Sequence, residues 1–559
     1  MLTALCALLY LPGLTTIPPL DRDESRFAQA SKQMVETGDF IGIYFQDQPR
    51  NKKPAGIHWL QAATVALLRG APSTDIWLYR LPSALGAWIA VLLTFATGCV
   101  LFNRIAAFWG AALLACCIGL VVEAHMATTD AVLLATVTAA QWALAVAYVG
   151  ARGTALPGDP PHRVTASGSP AHLRWPVWCA FWSALGIGVL IKGPIGFAVT
   201  LLTAVCVSIV ERDGHWLRSL RPVAGAGLLA VWLLPWFLAV TLLTDTQFVS
   251  RALSEDLIAK LLQGQEGHGA PPGYHVLALI VFLWPASLFI VPALVGAWTN
   301  RAAIGVRFCL AWVLPAWLMF ELVPTKLPHY VLPTYPALTL LIGATLWTAA
   351  EVMSPYRSRT AQVCGLVWMA LTILLAVALV VAGAQLGDGT RWWAMLGGAT
   401  MLLAGVLPGR LLLGAQPRRA VTAVVGCATL VVIVLAGVYV PRLERLWISP
   451  AVAAAIQRVT DDSSTAVVSV DFREPSLVFL LGTHTVFADA PRAAQLAAAN
   501  GDRVVVVAEQ SRAPFLAALA RLGAHARTVA TVEGLNYSKG QPLRLELLVV
   551  EAAPVVPGR

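Results

Sequence analysis

MLTALCALLYLPGLTTIPPLDRDESRFAQASKQMVETGDF, residues 1–40, sets an apolar run directly against a stretch in which eight of twenty residues are charged. Across all 559 residues only 12% are charged and 58% are hydrophobic. The mean hydropathy of +0.71 lies outside the soluble globular range and indicates a chain that crosses a membrane many times. A helix needs ~20 mostly apolar residues to span the hydrocarbon core. By that ruler about thirteen candidate spans precede residue 445. They lie near 1–18, 82–101, 106–120, 130–149, 175–191, 195–210, 223–242, 276–296, 308–323, 332–350, 362–385, 392–407 and 421–440. The first run lacks a basic start and a small-residue cleavage site, so it is expected to stay as a span and not to be removed as a secretory signal.

Arg and Lys in short connections mark the cytoplasmic side. With the N-terminus in the cytoplasm, the connections on that side carry Arg104, Arg152 with Arg163 and Arg174, and Arg212 with Arg218 and Arg221. Arg301 and Arg307, Arg357 and Arg359, and Arg410 with Arg418 and Arg419 continue the series. The charged stretch at 21–40 then faces outward. Arg22, Arg26, Lys32, Arg50, Lys52, Lys53 and Arg69 sit there against the trend, and cations kept on that side call for an anionic partner. The net charge of +9 mixes topology signals with any site. All nine cysteines fall inside apolar runs without metal-ligand spacing and read as small core residues.

Residues 1–444 form the expected transmembrane domain. Its first outer loop, 19–75, carries Phe27, Ala30, Met34 and Val35 at helical spacing, with Asp21 or Asp23 to cap the helix and Gly38 to end it. HWLQAATVALL, from His58, is apolar but too short to span and is expected at the interface. A Gly/Pro/Ser-rich linker occupies 151–173, and a second long outer loop occupies 243–275. Residues 445–559 alternate strand-like segments (466–470, 503–509, 526–533, 544–551) with helical ones (491–501, 511–523). That alternation predicts an outer, periplasmic α/β domain with a partly parallel sheet.

Four polar clusters stand at the outer ends of spans. Asp21, Asp23, Glu24 and Arg26 form one, and capping or plain surface solubility competes with a site there. RNKKP, 50–54, suits an anion or a lipid-headgroup anchor. In EAHMATTD, 123–130, Asp130 opens a span. An acid at that depth is expensive and marks function by default, with helix capping as its rival. The last pairs Lys192 in LIKGPIG, 190–196, with Lys326, His329, Tyr330 and Tyr335 in VPTKLPHYVLPTYP, 323–336. A snorkelling lysine explains either one alone. His268, in GQEGHGAPPGY, is equally a structural histidine or a ligand. Acids and several cations on one side of the membrane are the equipment for handling a phosphate-bearing lipid beside a group to be deprotonated or oriented. Broken spans with cations at one face also fit an anionic-lipid transporter or flippase.

The first-loop stretch followed by KKPAGIHWLQA resembles the lipid A aminoarabinose transferases and their protein O-mannosyltransferase-like relatives, whose loops carry a DE-x-R-[FY]-A segment and a later KP segment. LIKGPIG, KLPHYVLPTYPAL and REPSLVFLLG (473–482) resemble further hallmarks, in order along nearly the whole chain. The resemblance implies a GT-C fold and an inverting glycosyltransferase. Such an enzyme moves a sugar from a polyprenyl-phosphate carrier to lipid A or another envelope glycolipid at the periplasmic face of the bacterial inner membrane. A protein acceptor is the alternative. It further implies Asp23 as catalytic acid with Glu24 beside it, and Asp130 as the acid of the second outer loop. Arg26, Lys52, Lys53, Lys192, Lys326 and Tyr330 become donor-phosphate or cavity residues. His268 matches a residue that helps hold a divalent metal in some relatives. Where close relatives place Glu before the KP lysine, however, this chain has Lys52, which removes the second ligand of that metal. No other cofactor and no nucleic-acid partner is implied.

Overall fold

In hydrocarbon a chain must satisfy its own backbone hydrogen bonds, so the apolar runs fold as helices. The computed structural model describes residues 1–50, 53–152, 174–243, 269–347, 355–387, 389, 391–460, 467–500 and 504–551. Among the described residues nine helices are long and apolar enough to cross a membrane, or up to eleven if each of two bent pairs is one span. The molecule is a multi-span membrane protein. Its count falls short of the thirteen expected, for local reasons. The first run forms only Leu2–Tyr10. Beyond it Pro12 cannot continue the helix, and Gly13 takes φ 86, where a Cβ would meet the Ala436 carbonyl oxygen at 2.6 Å. This short helix is tucked into the bundle, with the Tyr10 hydroxyl donating to the Ala115 carbonyl at 3.1 Å. The segment expected at 106–120 divides into Arg104–Cys116 and Ile118–Ala124, bent by 61°, and that at 276–296 into Tyr274–Phe282 and Ala286–Thr299, bent by 116°. Pro285, which has no N–H to donate, lies in the second break. Ile195–Glu211 is apolar but only 17 residues long.

Small residues bring three helices together. A Cβ on Gly343 of Tyr335–Trp347 would stand 2.2 Å from the Ala106 carbonyl oxygen of Arg104–Cys116. One on Gly98 of Ile76–Leu101 would stand 2.9 Å from the Ala107 Cα. Such seams let membrane helices pack where lipid offers no hydrophobic drive between them. Tyr335–Trp347 continues directly from the 3-10 turn Pro328–Thr334, and that turn carries His329 and Tyr330.

The first long loop holds the two expected helices, Asp23–Thr37 and Gly56–Leu68, joined through a two-strand ribbon, β1 (Tyr44–Phe45) and β2 (Gln48–Pro49). Gly38 closes the first helix in the left-handed conformation, φ 73. Its start departs from expectation. Neither Asp21 nor Asp23 caps it; Arg22 stands at the N-cap with φ 63 and makes no side-chain cap bond. That conformation costs a non-glycine residue on the order of 1 kcal/mol. The two helices are pinned by Ser31, whose hydroxyl donates to Gln61 Oε1 at 2.6 Å and lies 2.8 Å from His58 Nδ1.

The C-terminal sheet has the order β4-β3-β5-β7-β6, from β3 (Val467–Val470), β4 (Val486–Ala488), β5 (Val504–Ala508), β6 (His525–Asn536) and β7 (Gln541–Glu551). β3 is parallel to both β4 and β5, while β7 runs antiparallel to β5 and β6. The valines of β3 and β5 are buried throughout, as strands covered on both faces require. Helices Ala490–Asn500 and Glu509–Arg521 match the expected positions. Ile448–Val459, Pro475–Leu481 and β4 are additional to them. Pro475–Leu481 packs on Asp23–Thr37, and its Phe479, 0% exposed, lies edge-on to Tyr79 at 5.4 Å.

Candidate active site

Two helix ends and the 3-10 turn Pro328–Thr334 converge where the first long loop meets the spans. Asp130 is the first residue of Asp130–Gly150 and Lys192 the last of Trp175–Lys192. Each charge is thus matched to its helix dipole, the acid at an N-terminus and the base at a C-terminus. Lys192 Nζ lies 2.5 Å from Asp130 Oδ1, with both side chains 11% exposed. The same ammonium sits 5.5 Å from the Tyr330 ring centroid. Asp130, Lys192 and Tyr330 line a narrow cavity together with Leu133, Ile195 and Phe320. Behind them His329 Nε2 approaches Asp130 Oδ1 at 3.9 Å, and its Nδ1 approaches Glu123 Oε1 at 3.7 Å.

The first loop supplies the second half. The Lys53 ammonium stands 4.6 Å from the centroid of the Phe27 ring, and the Arg50 guanidinium 4.5 Å, while His58 stacks on Phe27 at 5.3 Å. Burial pushes Lys53 down to about 8, the like charges of Lys192 and Arg50 add to the fall, and Asp130 and Asp23 oppose it. Burial likewise lowers Arg50 to about 10 against the pull of Asp23, and its buried Nη1 has no hydrogen-bond partner among the described residues. Lys53 has neither carboxylate nor carbonyl partner among the described residues. Asp23 Oδ1 stands between Arg26 Nη1 at 3.9 Å and Arg50 Nη2 at 4.0 Å, on a side chain 62% exposed. The result is a set of under-neutralised cations, Lys53 and Arg50, beside the Asp130–Lys192 cavity, with the accessible Asp23 carboxylate next to Arg26 and Arg50.

Two expected site residues lie elsewhere. Glu24 is fully buried and faces away from the cavity. Its carboxylate accepts from Arg80 Nε and Nη2, both at 2.8 Å, and from the backbone N–H groups of Leu20 at 2.8 Å and Ala127 at 2.9 Å. With every acceptor position engaged it is a structural ion pair, not a catalytic acid. Lys326 donates to the carbonyls of Val323 at 2.8 Å and Ala270 at 3.0 Å, so its ammonium is engaged in tying two backbone segments together. Lys52 and His268 lie outside the described residues. Arg50, Glu123 and His329, each inside an expected polar cluster but given no role there, join the site, and Phe27, expected only as a helix-face residue, joins it too. The pairing of Glu123 with Asp130 depends on the turn at 125–129, and His329 faces both only because the Pro-bounded segment turns back as a 3-10 helix.

Glu123, Asp130 and His329 offer ligand atoms within 4.8 Å of one another. Lys192 already occupies the Asp130 oxygen, and Lys53 exerts its charge on the same group. Two ammonium groups repel a dication. Among the described residues, Glu123, Asp130 and His329 as placed therefore do not fit a resident divalent metal.

A family model described as dolichyl-phosphate-mannose-protein mannosyltransferase matches residues 57–246. Among curated proteins the chain is 26% identical over 360 residues to an undecaprenyl phosphate-alpha-4-amino-4-deoxy-L-arabinose arabinosyl transferase of Pseudomonas fluorescens Pf0-1, covering 64% of this chain and 60% of that one. A second such protein, from P. fluorescens Pf-5, is 28% identical over 344 residues, covering 61% and 58%. The matches span about three-fifths of these relatives' length. Among solved structures, that of ArnT from Cupriavidus metallidurans bound to undecaprenyl phosphate superposes with a TM-score of 0.73 at 18% identity, covering 100% of this chain and 98% of that one. The molecule therefore has the GT-C glycosyltransferase fold, transmembrane helices and C-terminal sheet domain included. The same protein, ArnT, in the apo state superposes with a TM-score of 0.72 at 17% identity.

Proposed function

We propose that the protein is an inverting glycosyltransferase that moves a sugar from a polyprenyl-phosphate carrier to lipid A or another envelope glycolipid. The observation that carries this reading is the pair of first-loop cations, Lys53 and Arg50, held in a buried pocket without sufficient anion and placed beside Asp130, Lys192 and Tyr330. A lipid-linked phosphate supplies the missing charge, and charge-assisted hydrogen bonds to it are the strong kind. The relatives that act with undecaprenyl phosphate support the carrier class. Orientation follows from the arginine-rich connections at the opposite end of the bundle. They support an orientation with the N-terminus in the cytoplasm, and the pocket and C-terminal domain in the periplasm of a bacterial inner-membrane protein.

The chemistry is a single displacement. An acceptor oxygen attacks the anomeric carbon, the bond from that carbon to the phosphate oxygen breaks, and polyprenyl phosphate leaves with the electron pair. Lys53 and Lys192 stabilise the charge that grows on the leaving phosphate, Tyr330 borders it, and Arg26 flanks the entrance. Asp23 takes the proton of a hydroxyl acceptor, or only orients an acceptor that is already ionised. No metal is invoked, because the charge needed is present as ammonium and guanidinium.

Reconstituted protein given synthetic polyprenyl-phosphate sugar and lipid A should form glycosylated lipid A, and Asp23→Asn should lower the rate to a hydroxyl acceptor by ~10²-fold or more. Full activity in Asp23→Asn refutes the assigned role. The mannosyltransferase family match favours one second reading, transfer to a protein Ser or Thr, which the same assay scores with a peptide acceptor. Movement of labelled lipid across vesicles without any transfer would instead identify a flippase. Against that outcome, the charged pair lies at helix ends and not at mid-span.

A further inference from the structure

The turn that presents Asp23 is not held by its own neighbourhood. Arg22 adopts φ 63 immediately before Asp23, and the helix that follows starts without a side-chain cap. The bonds that fix residues 21 and 22 come from the C-terminal domain, more than 450 positions away in sequence. The Asp21 N–H donates to the Tyr537 hydroxyl oxygen at 2.6 Å, and Arg22 Nη2 donates to the Ser538 carbonyl at 2.5 Å. The Ser476 hydroxyl donates to the Asp21 carboxylate, and Ser449 Oγ lies 2.6 Å from Ser476 Oγ. Around this contact the two parts are joined broadly. Lys32 Nζ donates to the Phe479 carbonyl at 3.2 Å, and Gln46 Nε2 to the carbonyls of Thr485 at 2.6 Å and Thr483 at 3.0 Å.

We propose that the C-terminal α/β domain is a positioning element for catalysis. Through Ser476, Tyr537 and the Ser538 carbonyl it holds the Asp21–Arg22 turn in its positive-φ form, and so aims the Asp23 carboxylate at Arg26 and Arg50. A backbone at φ 63 directs the next Cα–Cβ bond differently from a relaxed backbone at negative φ. Release of the turn therefore rotates Asp23 away from Arg26 and Arg50, while the cavity built from Asp130, Lys192 and Tyr330 stays in place. Ser476, Tyr537 and Arg22 act through Asp23 and touch no substrate. The inference rests on the reading of Asp23 given above.

The test uses the full-length protein with Ser476→Ala and Tyr537→Phe, each of which deletes one oxygen atom, and with Arg22→Ala. Arg22 is exposed, so its loss leaves the fold intact even if a buried variant unfolds. Each variant should lower kcat for transfer to a hydroxyl acceptor about tenfold and leave the donor KM within twofold. Amide exchange at residues 21–26 should accelerate. The deciding measurement combines each variant with Asp23→Asn. If the domain works through Asp23, the second substitution adds no further loss; a structural role would make the losses multiply. Multiplying losses, or unchanged kcat in all three variants while Asp23→Asn alone is inactive, would overturn the proposal. Wild-type rates in Asp23→Asn alone would instead remove the reading on which it stands.

Discussion

Lys53 offers a sharp test, because its environment sets both the size and the pH dependence of the effect. Its ammonium is pulled from an ordinary value of 10.5 to about 8, chiefly by burial. At ~1.36 kcal/mol per pH unit, the gap amounts to at most about 3 kcal/mol by which the empty pocket resists the charge. A phosphate that binds beside it returns part of that free energy, and a charge-assisted hydrogen bond is worth ~1.5–3 kcal/mol. Lys53→Ala should therefore raise the donor KM by roughly 10- to 100-fold at pH 7. The sign with pH is fixed by the lowered value: the ammonium is present below about 8 and lost above it. The donor phosphodiester stays anionic throughout, so the wild-type KM should be flat up to pH 7 and rise by up to about tenfold per pH unit above 8. Lys53→Arg keeps its charge at every accessible pH and should flatten the profile. Steady-state transfer in detergent between pH 6.5 and 9.5 reads all three curves. A wild-type KM that is equal at pH 7 and 9.5, or a Lys53→Ala defect confined to the acceptor, refutes the assignment.

Further outcomes follow from other contacts. Lys192→Met leaves Asp130 charged in a covered site and should destabilise by ~3–5 kcal/mol, whereas Asp130→Asn with Lys192→Met should regain most of the melting temperature but no activity; regained activity would mean the pair is structural only. Arg80→Met should unfold or severely destabilise the protein by stranding Glu24, by a similar ~3–5 kcal/mol, and a fully stable Arg80→Met in thermal unfolding would contradict the buried pairing. Burial raises the Asp21 carboxyl to about 6, with Glu474 adding to the rise and Ser476 opposing it. Its folded value is thus above the unfolded one, so its contribution to stability is present in acid and lost as pH rises through about 6. Asp21→Asn should accordingly raise the melting temperature at pH 7.5 and leave it nearly unchanged at pH 4.5, and the opposite pattern would refute the sign.

Asp130 and Lys192 can be read from the sequence because each breaks an apolar run at its end, where a charge has no cheap explanation. The alternating segments after residue 445 announce a sheet domain by the same local logic: β3, β5, β6 and β7 and two of the helices lie where the pattern places them, while the three-residue β4 is too short to register. Glu24 cannot be resolved this way. It adjoins Asp23 in sequence, yet one carboxylate stands next to Arg26 and Arg50 and the other meets Arg80, 56 positions on, and only the packing of Ile76–Leu101 against the first loop decides which. Span counting fails for a related reason: a hydropathy window registers apolar length but not a 61° or 116° bend. The bonds of Asp21 to Tyr537 and Ser476 are remoter still, since no periodicity links residues 455 to 516 positions apart.

The glycine seam at Gly98 and Gly343 has an evolutionary corollary. Tyr335–Trp347 is the same rod whose upstream turn carries Tyr330 and His329, so a single methyl group added at Gly343, against the Ala106 carbonyl 2.2 Å away, tilts a lever whose other arm is in the reaction chamber. Under the proposed function, selection on catalysis thereby extends to a helix joint buried inside the bundle, away from the reacting groups. Engineers who wish to widen substrate range without touching the chemistry have, at that fulcrum, a remote adjustment screw.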